Sequence, residues 1–388
     1  MPALSTAGAT RQLDMVAIDM KIERVEVFGV QIPLVGNFAS GKGAKTAQKS
    51  AVVRVTANDG TIGLGSVEPI PSPQAAESVE DLLKLLRSRI APAMIGVDPT
   101  NINKLRLVLE QSVPGDTAAK VPVEMACVDL AARRGGVPVH TYLGGAVKDR
   151  VEFNAWIGLL TPDAAAAEAL RWKKLGFRSA KIKVGSGIDA DCDRIAAVRA
   201  AVGSEVALRI DANESYDALT SIRLAKAVKK FDLQHFEQPA RRDDLDGLAR
   251  VRREGGIPVM ADESVTDLAS LLAVIKAEAA DTVKLGIKEQ GGFHRAIQLL
   301  ATAEAAGIPC VIGHGFGLDI STLAEITLGA VSHNVVTGLE CVGPLKMVDS
   351  ITTSRLDISL GALSLPSGPG LGVFLDDEKL EKYRLKTC

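Results

Sequence analysis

The chain has 388 residues, with 45 Lys plus Arg against 47 Asp plus Glu. That near balance gives no electrostatic case for nucleic acid or an anionic membrane surface as partner, and no apolar run reaches the length of a membrane span. The five cysteines are scattered without a CxxC pair, which reads as reduced thiols in a cytoplasmic protein and not as a disulfide framework.

In chain order, residues 1–19 lack a signal-peptide apolar core and read as a flexible N-terminal extension before Met20-Lys21-Ile22. Residues 22–28 and 50–55 alternate apolar and polar, as half-buried antiparallel strands do, and Asn58-Asp59-Gly60 is a hairpin turn signal. The glycine-rich stretch Gly36–Lys45 reads as a flexible loop able to close over a site. Phe38 and Ser40 in it are candidate substrate contacts, and Lys42 or Lys45 can meet an anionic substrate end. Helical patterns run from Gln74 to about Arg134. From Val151 to about Gly343 strands and helices alternate, with strands expected at Val151–Leu159, Ser179–Val184, Val206–Ala212, His235–Gln238, Val259–Asp262, Thr282–Gly286, Cys310–His314 and Val335–Cys341. Such alternation implies parallel strands with crossover helices, and eight strands favour a closed barrel over an open sheet. The expected division is a capping domain over 20–135, a barrel over 136–349, and a tail, 350–388, that returns to the cap.

Four of these strands end on polar residues at near-equal intervals: Lys181-Ile182-Lys183, Asp211-Ala212-Asn213, Glu237-Gln238-Pro239 and Asp262-Glu263-Ser264. In a parallel barrel all those ends converge on one face, where active sites of that fold sit. Three carboxylates beside a lysine pair point to a hard divalent cation, which takes oxygen ligands, next to a base.

In order and spacing the four segments resemble the enolase superfamily, closest to its muconate-lactonizing subgroup in the mandelate racemase/muconate lactonizing enzyme family. The resemblance runs from Met20 onward. It implies an α/β protein, a modified (β/α)8 TIM barrel with an N-terminal α+β capping domain that the C-terminal segment completes. It also implies removal of the proton next to a substrate carboxylate, giving an enolate, with Mg2+ (or Mn2+) as cofactor. That proton is barely acidic, because its loss puts a second negative charge on the group, so a cation at the carboxylate is the natural stabiliser. Carried over residue by residue, Asp211, Glu237 and Asp262 are the metal ligands. Lys183 is the base and Lys181 its electrostatic partner, while Asn213 and Glu263 orient the ligands. Glu340, near the end of the last strand, is expected to be protonated and to hydrogen-bond the substrate carboxylate.

The second acid/base departs from the pattern. Gly291-Gly292 puts Gly286 where the subgroup carries another lysine. Lys284, two residues earlier on the same side of the strand, and His314, on the seventh strand, are the alternatives, with Asp319 the acidic residue nearest His314 in sequence. The expected function is a Mg-dependent isomerase of a small carboxylate, either a cycloisomerase or a racemase/epimerase. A hydroxy-acid or sugar-acid dehydratase, with His314 expelling water, is the alternative, and a noncatalytic barrel the third reading. A homo-oligomer is expected from the resemblance alone.

Overall fold

The computed structural model describes residues 20–40, 43–69, 78–115, 117–313 and 315–386. The N-terminal extension, Lys42 and His314 lie outside the described residues, as do the side chains of Phe38 and Ser40. Among the described residues no helix is long and apolar enough to cross a membrane.

Strands β1 (Ile22–Ser40), β2 (Gly43–Ala57) and β3 (Ile62–Val67) form an antiparallel sheet in that order. The stretch expected to be a loop is instead the far end of the β1–β2 ribbon: Phe38 pairs with Lys45 and Ser40 with Gly43. The sequence hides this because the register breaks between Pro33 and Phe38. There β1 turns to another partner, with Leu34 bridging Met347 and the Val348 amide donating to the Pro33 carbonyl at 3.0 Å. Behind the sheet lies the helix Thr117–Arg134. It packs so closely that a Cβ on Gly63 would stand 2.0 Å from the Ala126 carbonyl oxygen, and one on Gly65 1.9 Å from that of Pro122. Only glycine permits that approach.

The second unit is built on β4 (Arg150–Glu152), β5 (Ala155–Ile157), β6 (Ser179–Lys183), β7 (Ala207–Asp211), β8 (Leu233–Glu237), β9 (Val259–Ala261), β10 (Thr282–Leu285), β11 (Cys310–Ile312) and β12 (Ala362–Ser364). Strands β5 to β11 make one sheet of 7 strands in sequential order, parallel throughout, with helices between them. The expected eighth strand is not a continuous ladder. Residues 335–341 join through isolated parallel bridges, Cys310 to Val335 and Gly313 to Glu340 on one side and Phe153 to Leu339 on the other. These bridges link the two edges of the sheet and close the ring. Gly338, at φ +85°, interrupts the extended run that a ladder needs. The expected strand 151–159 also divides: β4 leaves the ring to pair antiparallel with β12.

Side chains alternate across each strand. On β6, Ala180 and Ile182 enter the hydrophobic core, which leaves Lys181 and Lys183 on the opposite side, facing the ring interior. The last residues return to the cap: the Gln31 amide donates to the Tyr383 carbonyl and the Leu385 amide to the Gly29 carbonyl, both at 2.8 Å. Cap and barrel also meet at buried Glu124, on the Thr117–Arg134 helix. Its carboxylate accepts the backbone amides of Phe293 (2.6 Å) and His294 (3.0 Å), at the start of the helix Phe293–Ala305.

Candidate active site

Strand register lines up the polar ends. Lys183 is level with Asp211, and Asp211 with Glu237. Met260 is level with Glu237 on β9, so Asp262 stands two residues further along, on the same side of the strand. Lys183 Nζ donates to Asp211 Oδ2 at 2.6 Å and also to Asn213 Oδ1. Lys181 Nζ donates to both oxygens of Glu237 (2.9 and 3.0 Å) and to Glu340, and lies 3.1 Å from Asp211. Lys284 Nζ bridges Glu237 (3.1 Å) and Asp262 (3.0 Å), with Glu340 at 3.4 Å. Asn213 Nδ2 donates to Glu263 at 3.0 Å. The structure thus brings Lys181, Lys183, Asp211, Asn213, Glu237, Asp262, Glu263, Lys284 and Glu340 together at one mouth. His314 and the Phe38 and Ser40 side chains are outside the described residues, though the β1 backbone at 38–40 is paired with β2. Asp319 is occupied elsewhere, accepting the hydroxyls of Ser350 and Thr352.

Beneath this layer, Arg209 is fully buried and donates to the Gly338 and Thr337 carbonyls, both at 2.8 Å, and to Glu340 at 3.4 Å. Lys181, Lys183, Lys284 and Arg209 therefore balance Asp211, Glu237, Asp262 and Glu340. Buried charges persist only when paired in this way. Burial pushes Asp211 up, but Lys183, Lys181 and Lys284 outweigh it and hold the carboxyl well below its ordinary range. Glu237 goes the other way, raised by burial and by the charges of Asp211 and Glu340 beyond what Lys181 and Lys284 offset. The expectation of a protonated Glu340 is not met. Burial raises it, but Lys181, Lys284 and Arg209 prevail and keep it ionised. In Lys284, burial opposes the charge, yet Asp262, Glu237 and Glu340 favour the ammonium form more strongly. Among the described residues no three acidic, histidine or cysteine side chains converge as a metal cage, because ammonium groups stand between the carboxylates.

Three residues escape the sequence reading. Gln238 Oε1 accepts the amides of Asp262 (2.9 Å) and Ser264 (3.2 Å), so it fixes the β9 end that carries Asp262. It stands inside the Glu237-Gln238-Pro239 segment, where a polar residue next to a candidate ligand was signal enough. Arg209, two residues before Asp211, faces the same side, which strand alternation alone predicts. Lys346 follows the last strand in an apolar run, Gly343-Pro344-Leu345-Lys346-Met347, and a lone charge there is its only signal. It is buried, donates to the Gly315 carbonyl at 2.9 Å and lies over the rings of Phe316 (4.1 Å) and Trp156 (4.3 Å).

Residues 23–144 match the family described as Mandelate racemase / muconate lactonizing enzyme, N-terminal domain, and residues 164–379 that described as Enolase C-terminal domain-like. Similar curated proteins include the N-succinyl-L-Arg/Lys racemase of Bacillus cereus, 29% identical over 94% of this chain and 98% of its own. The hydrophobic dipeptide epimerase of Enterococcus faecalis is 33% identical over 91% and 95%. The chloromuconate cycloisomerase of Pseudomonas putida is 30% identical over 94% and 99%. Among solved structures, the Bacillus cereus racemase superposes with a TM-score of 0.90 at 28% identity, covering 94% of this chain and 98% of that one. The Enterococcus faecalis epimerase, complexed with Mg and the dipeptide L-Leu-L-Tyr, gives 0.87 at 30% identity over 91% and 99%. The chain belongs to the mandelate racemase/muconate lactonizing enzyme family of the enolase superfamily, as an isomerase of its muconate-lactonizing subgroup.

Proposed function

We propose that the chain is a magnesium-dependent isomerase, a racemase/epimerase or cycloisomerase, that removes the proton α to the carboxylate of a small substrate. The observation that carries this is the row Lys183–Asp211–Glu237–Asp262, with a lysine ending one strand and a carboxylate ending or just following each of the next three. The metal reading fits the donors present. Asp211, Glu237 and Asp262 offer only hard oxygen atoms, and their charge already draws ammonium groups between them. When bound, magnesium supplies positive charge at the substrate carboxylate, where negative charge grows as the proton leaves.

The chain's own residues do the rest. Lys183 Nζ, at the β6 end and only partly buried, takes the α-proton. Asn213 and Asp211 hold its amino group in position. Lys181 remains protonated and ties Glu237 to Glu340, so the carboxylate row keeps its spacing. Glu340, ionised, balances Lys181, Lys284 and Arg209 instead of donating to substrate. Proton delivery on the opposite face falls to Lys284 or His314, which single substitutions separate.

The test is incubation with Mg2+ in D2O against muconates, N-acylamino acids, dipeptides, hydroxy acids and sugar acids, followed by NMR. Deuterium at the α-carbon without loss of water is the expected result. Keto-acid formation would replace the reading with a dehydratase. Lys183→Ala should abolish exchange and leave magnesium affinity largely intact, and retained exchange removes Lys183 as base.

A further inference from the structure

The loop after Lys183 is held by three residues outside the carboxylate row. Strand β6 ends at Lys183, and Val184-Gly185-Ser186-Gly187 leads into the helix Ile188–Val202. Asp191, in the first turn of that helix, is fully buried, and its carboxylate reaches back to the loop. It accepts the amide of Gly185 at 2.7 Å and that of Ser186 at 3.3 Å. Arg194, also buried, donates to Asp191 at 2.6 Å, to the Lys183 carbonyl at 3.2 Å, to Ser186 Oγ at 3.2 Å and to the Leu160 carbonyl at 2.6 Å. Tyr216 comes from the loop after β7. Its hydroxyl donates to Asp191 and accepts the Gly187 amide at 2.8 Å. The two loops approach closely: a Cβ on Gly185, at φ +129°, would stand 2.9 Å from Ser215 Oγ.

We propose that Asp191, Arg194 and Tyr216 form a positioning unit for Lys183: they fix its main chain against the β7 end, so that its amino group stays aimed at the substrate α-carbon. The inference rests on the isomerase reading for the role of Lys183 as base.

Lysine carries its amine on a flexible stem rich in rotamers, so a lysine base is aimed only as well as both of its ends are held. Asp211 and Asn213 hold the amine, and both belong to the β7 end. The main chain of Lys183 belongs to β6. The two ends keep their relation only if the loops after β6 and β7 move as one. Asp191 supplies that link, because one carboxylate binds the β6 loop amides and the Tyr216 hydroxyl together. Burial, and then the hydrogen bond to Asp191, raise the pKa of Tyr216 to about 12, so its hydroxyl remains a donor at neutral pH. Arg194 extends the link to the Lys183 carbonyl itself, and a guanidinium paired with a carboxylate is a stiff joint for that purpose. The turn after β7 also needs outside support. Asn213 lies at φ +43° and Glu214 at φ +67°, a left-handed conformation uncommon for residues other than glycine, and Tyr216 anchors its far side. The stakes are large, since a reacting group misplaced by about 1 Å can lose on the order of 100-fold in rate.

The test compares the full wild-type chain with Tyr216→Phe, which removes one hydroxyl and keeps the ring, and Arg194→Lys, which keeps the charge and loses the fork. The first readout needs no substrate. With Mg2+ present, each protein is treated briefly with acetic anhydride, and peptide mass spectrometry gives the acetylation of Lys183 relative to exposed Lys226 in the same sample. In both variants that ratio should rise at least about threefold, as expected when a hydrogen-bonded amine is released for more of the time. Lys284, four strands away on β10, should not follow, and magnesium affinity by calorimetric titration should stay within about twofold. The second readout is α-proton exchange in D2O with the compounds of the panel above. In the variants kcat should fall at least about tenfold while KM stays within about twofold, the signature of lost aim and not of lost binding. An unchanged Lys183 ratio overturns the proposal, and so does an unchanged kcat in an exchanging enzyme. A rise shared in proportion by Lys284, or a weakened magnesium affinity, reduces the three residues to a general prop of the fold and overturns it too. If Arg194→Lys fails to fold, Tyr216→Phe alone decides. The two readings fail separately. A raised Lys183 ratio without exchange of any compound keeps the anchoring of Lys183 and removes the isomerase reading, while exchange with an unchanged ratio does the reverse.

Discussion

Glu124 joins the cap to the barrel through a buried carboxylate, and its protonation should set part of the pH dependence of stability. It is 1% exposed and accepts two backbone amides, from Phe293 and His294. Burial raises its pKa to about 7 from an ordinary 4.5, and these amides and Arg106 offset the shift only in part. An acid whose folded pKa lies above its unfolded value contributes stability that is fully present below the unfolded value. That contribution is lost as pH rises through the folded one. The window here runs from 4.5 to about 7, and the shift corresponds to roughly 3 kcal/mol, of which about 2.5 falls between pH 5 and pH 8. Glu124→Gln cannot ionise. Its amide oxygen can accept one of the two backbone donors but its NH2 cannot accept the other, a loss of about 1–2 kcal/mol that does not change with pH. Urea unfolding of both proteins, followed by circular dichroism at pH 5 and pH 8, gives the difference directly. Glu237 and Glu325 also have raised values, but they contribute the same background to both proteins. The wild type should lose about 2 kcal/mol or more relative to Glu124→Gln on going to pH 8. A stability difference that stays constant across that range refutes the reasoning.

Three further outcomes follow from the same geometry. Asp262→Asn replaces one of the three anionic oxygen donors by a neutral amide and should weaken magnesium binding by at least about tenfold in calorimetric titration, whereas unchanged affinity rejects Asp262 as a ligand. Gly292→Ala puts a methyl group 1.9 Å from Glu124 Oε2 at φ +114°, so it should lower the unfolding free energy by more than about 2 kcal/mol, and a neutral result would mean that the helix start moves freely. Lys181→Met leaves Asp211, Glu237 and Glu340 short of a cation, so without magnesium the protein should lose about 3 kcal/mol of stability and recover part of it with saturating magnesium. Equal loss with and without the metal would place the Lys181 contribution outside the carboxylate cluster.

The parallel sheet and the acidic row were legible because both are written in short-range patterns. Strand alternation aims Lys181 and Lys183 to one side, and a strand–helix period carries Asp211, Glu237 and Asp262 to one end of the sheet. What was not legible depends on partners far away in sequence. The β1–β2 ribbon past Pro33 looks like a loop because its register shifts where β1 meets Met347 and Val348. The last barrel strand reads as a regular ladder because sequence pattern does not reveal that only isolated bridges form on its two sides. The charge state of Glu340 could not be read either. Its neighbours in sequence are apolar, and the three cations that hold it ionised come from β6, β7 and β10.

The same distinction explains the lysines. Gly286 stands where the subgroup carries a second lysine, and the sequence leaves open whether Lys284 can reach up to replace it. In the structure, Lys284 stays at its own level and is bound by Glu237, Asp262 and Glu340, so its ammonium compensates the carboxylate row. Those carboxylates favour its ammonium form, and single substitutions of Lys284 and His314 decide which of the two delivers the proton on the opposite face. Lys346 has a different setting: it lies over two ring faces and donates to a carbonyl, and burial, then the charges of Lys181 and Lys183, disfavour its ammonium form. Two lysines of one barrel mouth are thus driven apart in chemistry by what surrounds them. Lys284, which the sequence nominated, is held as an ammonium among the carboxylates, whereas Lys346, which it passed over, stands where burial disfavours the charged form.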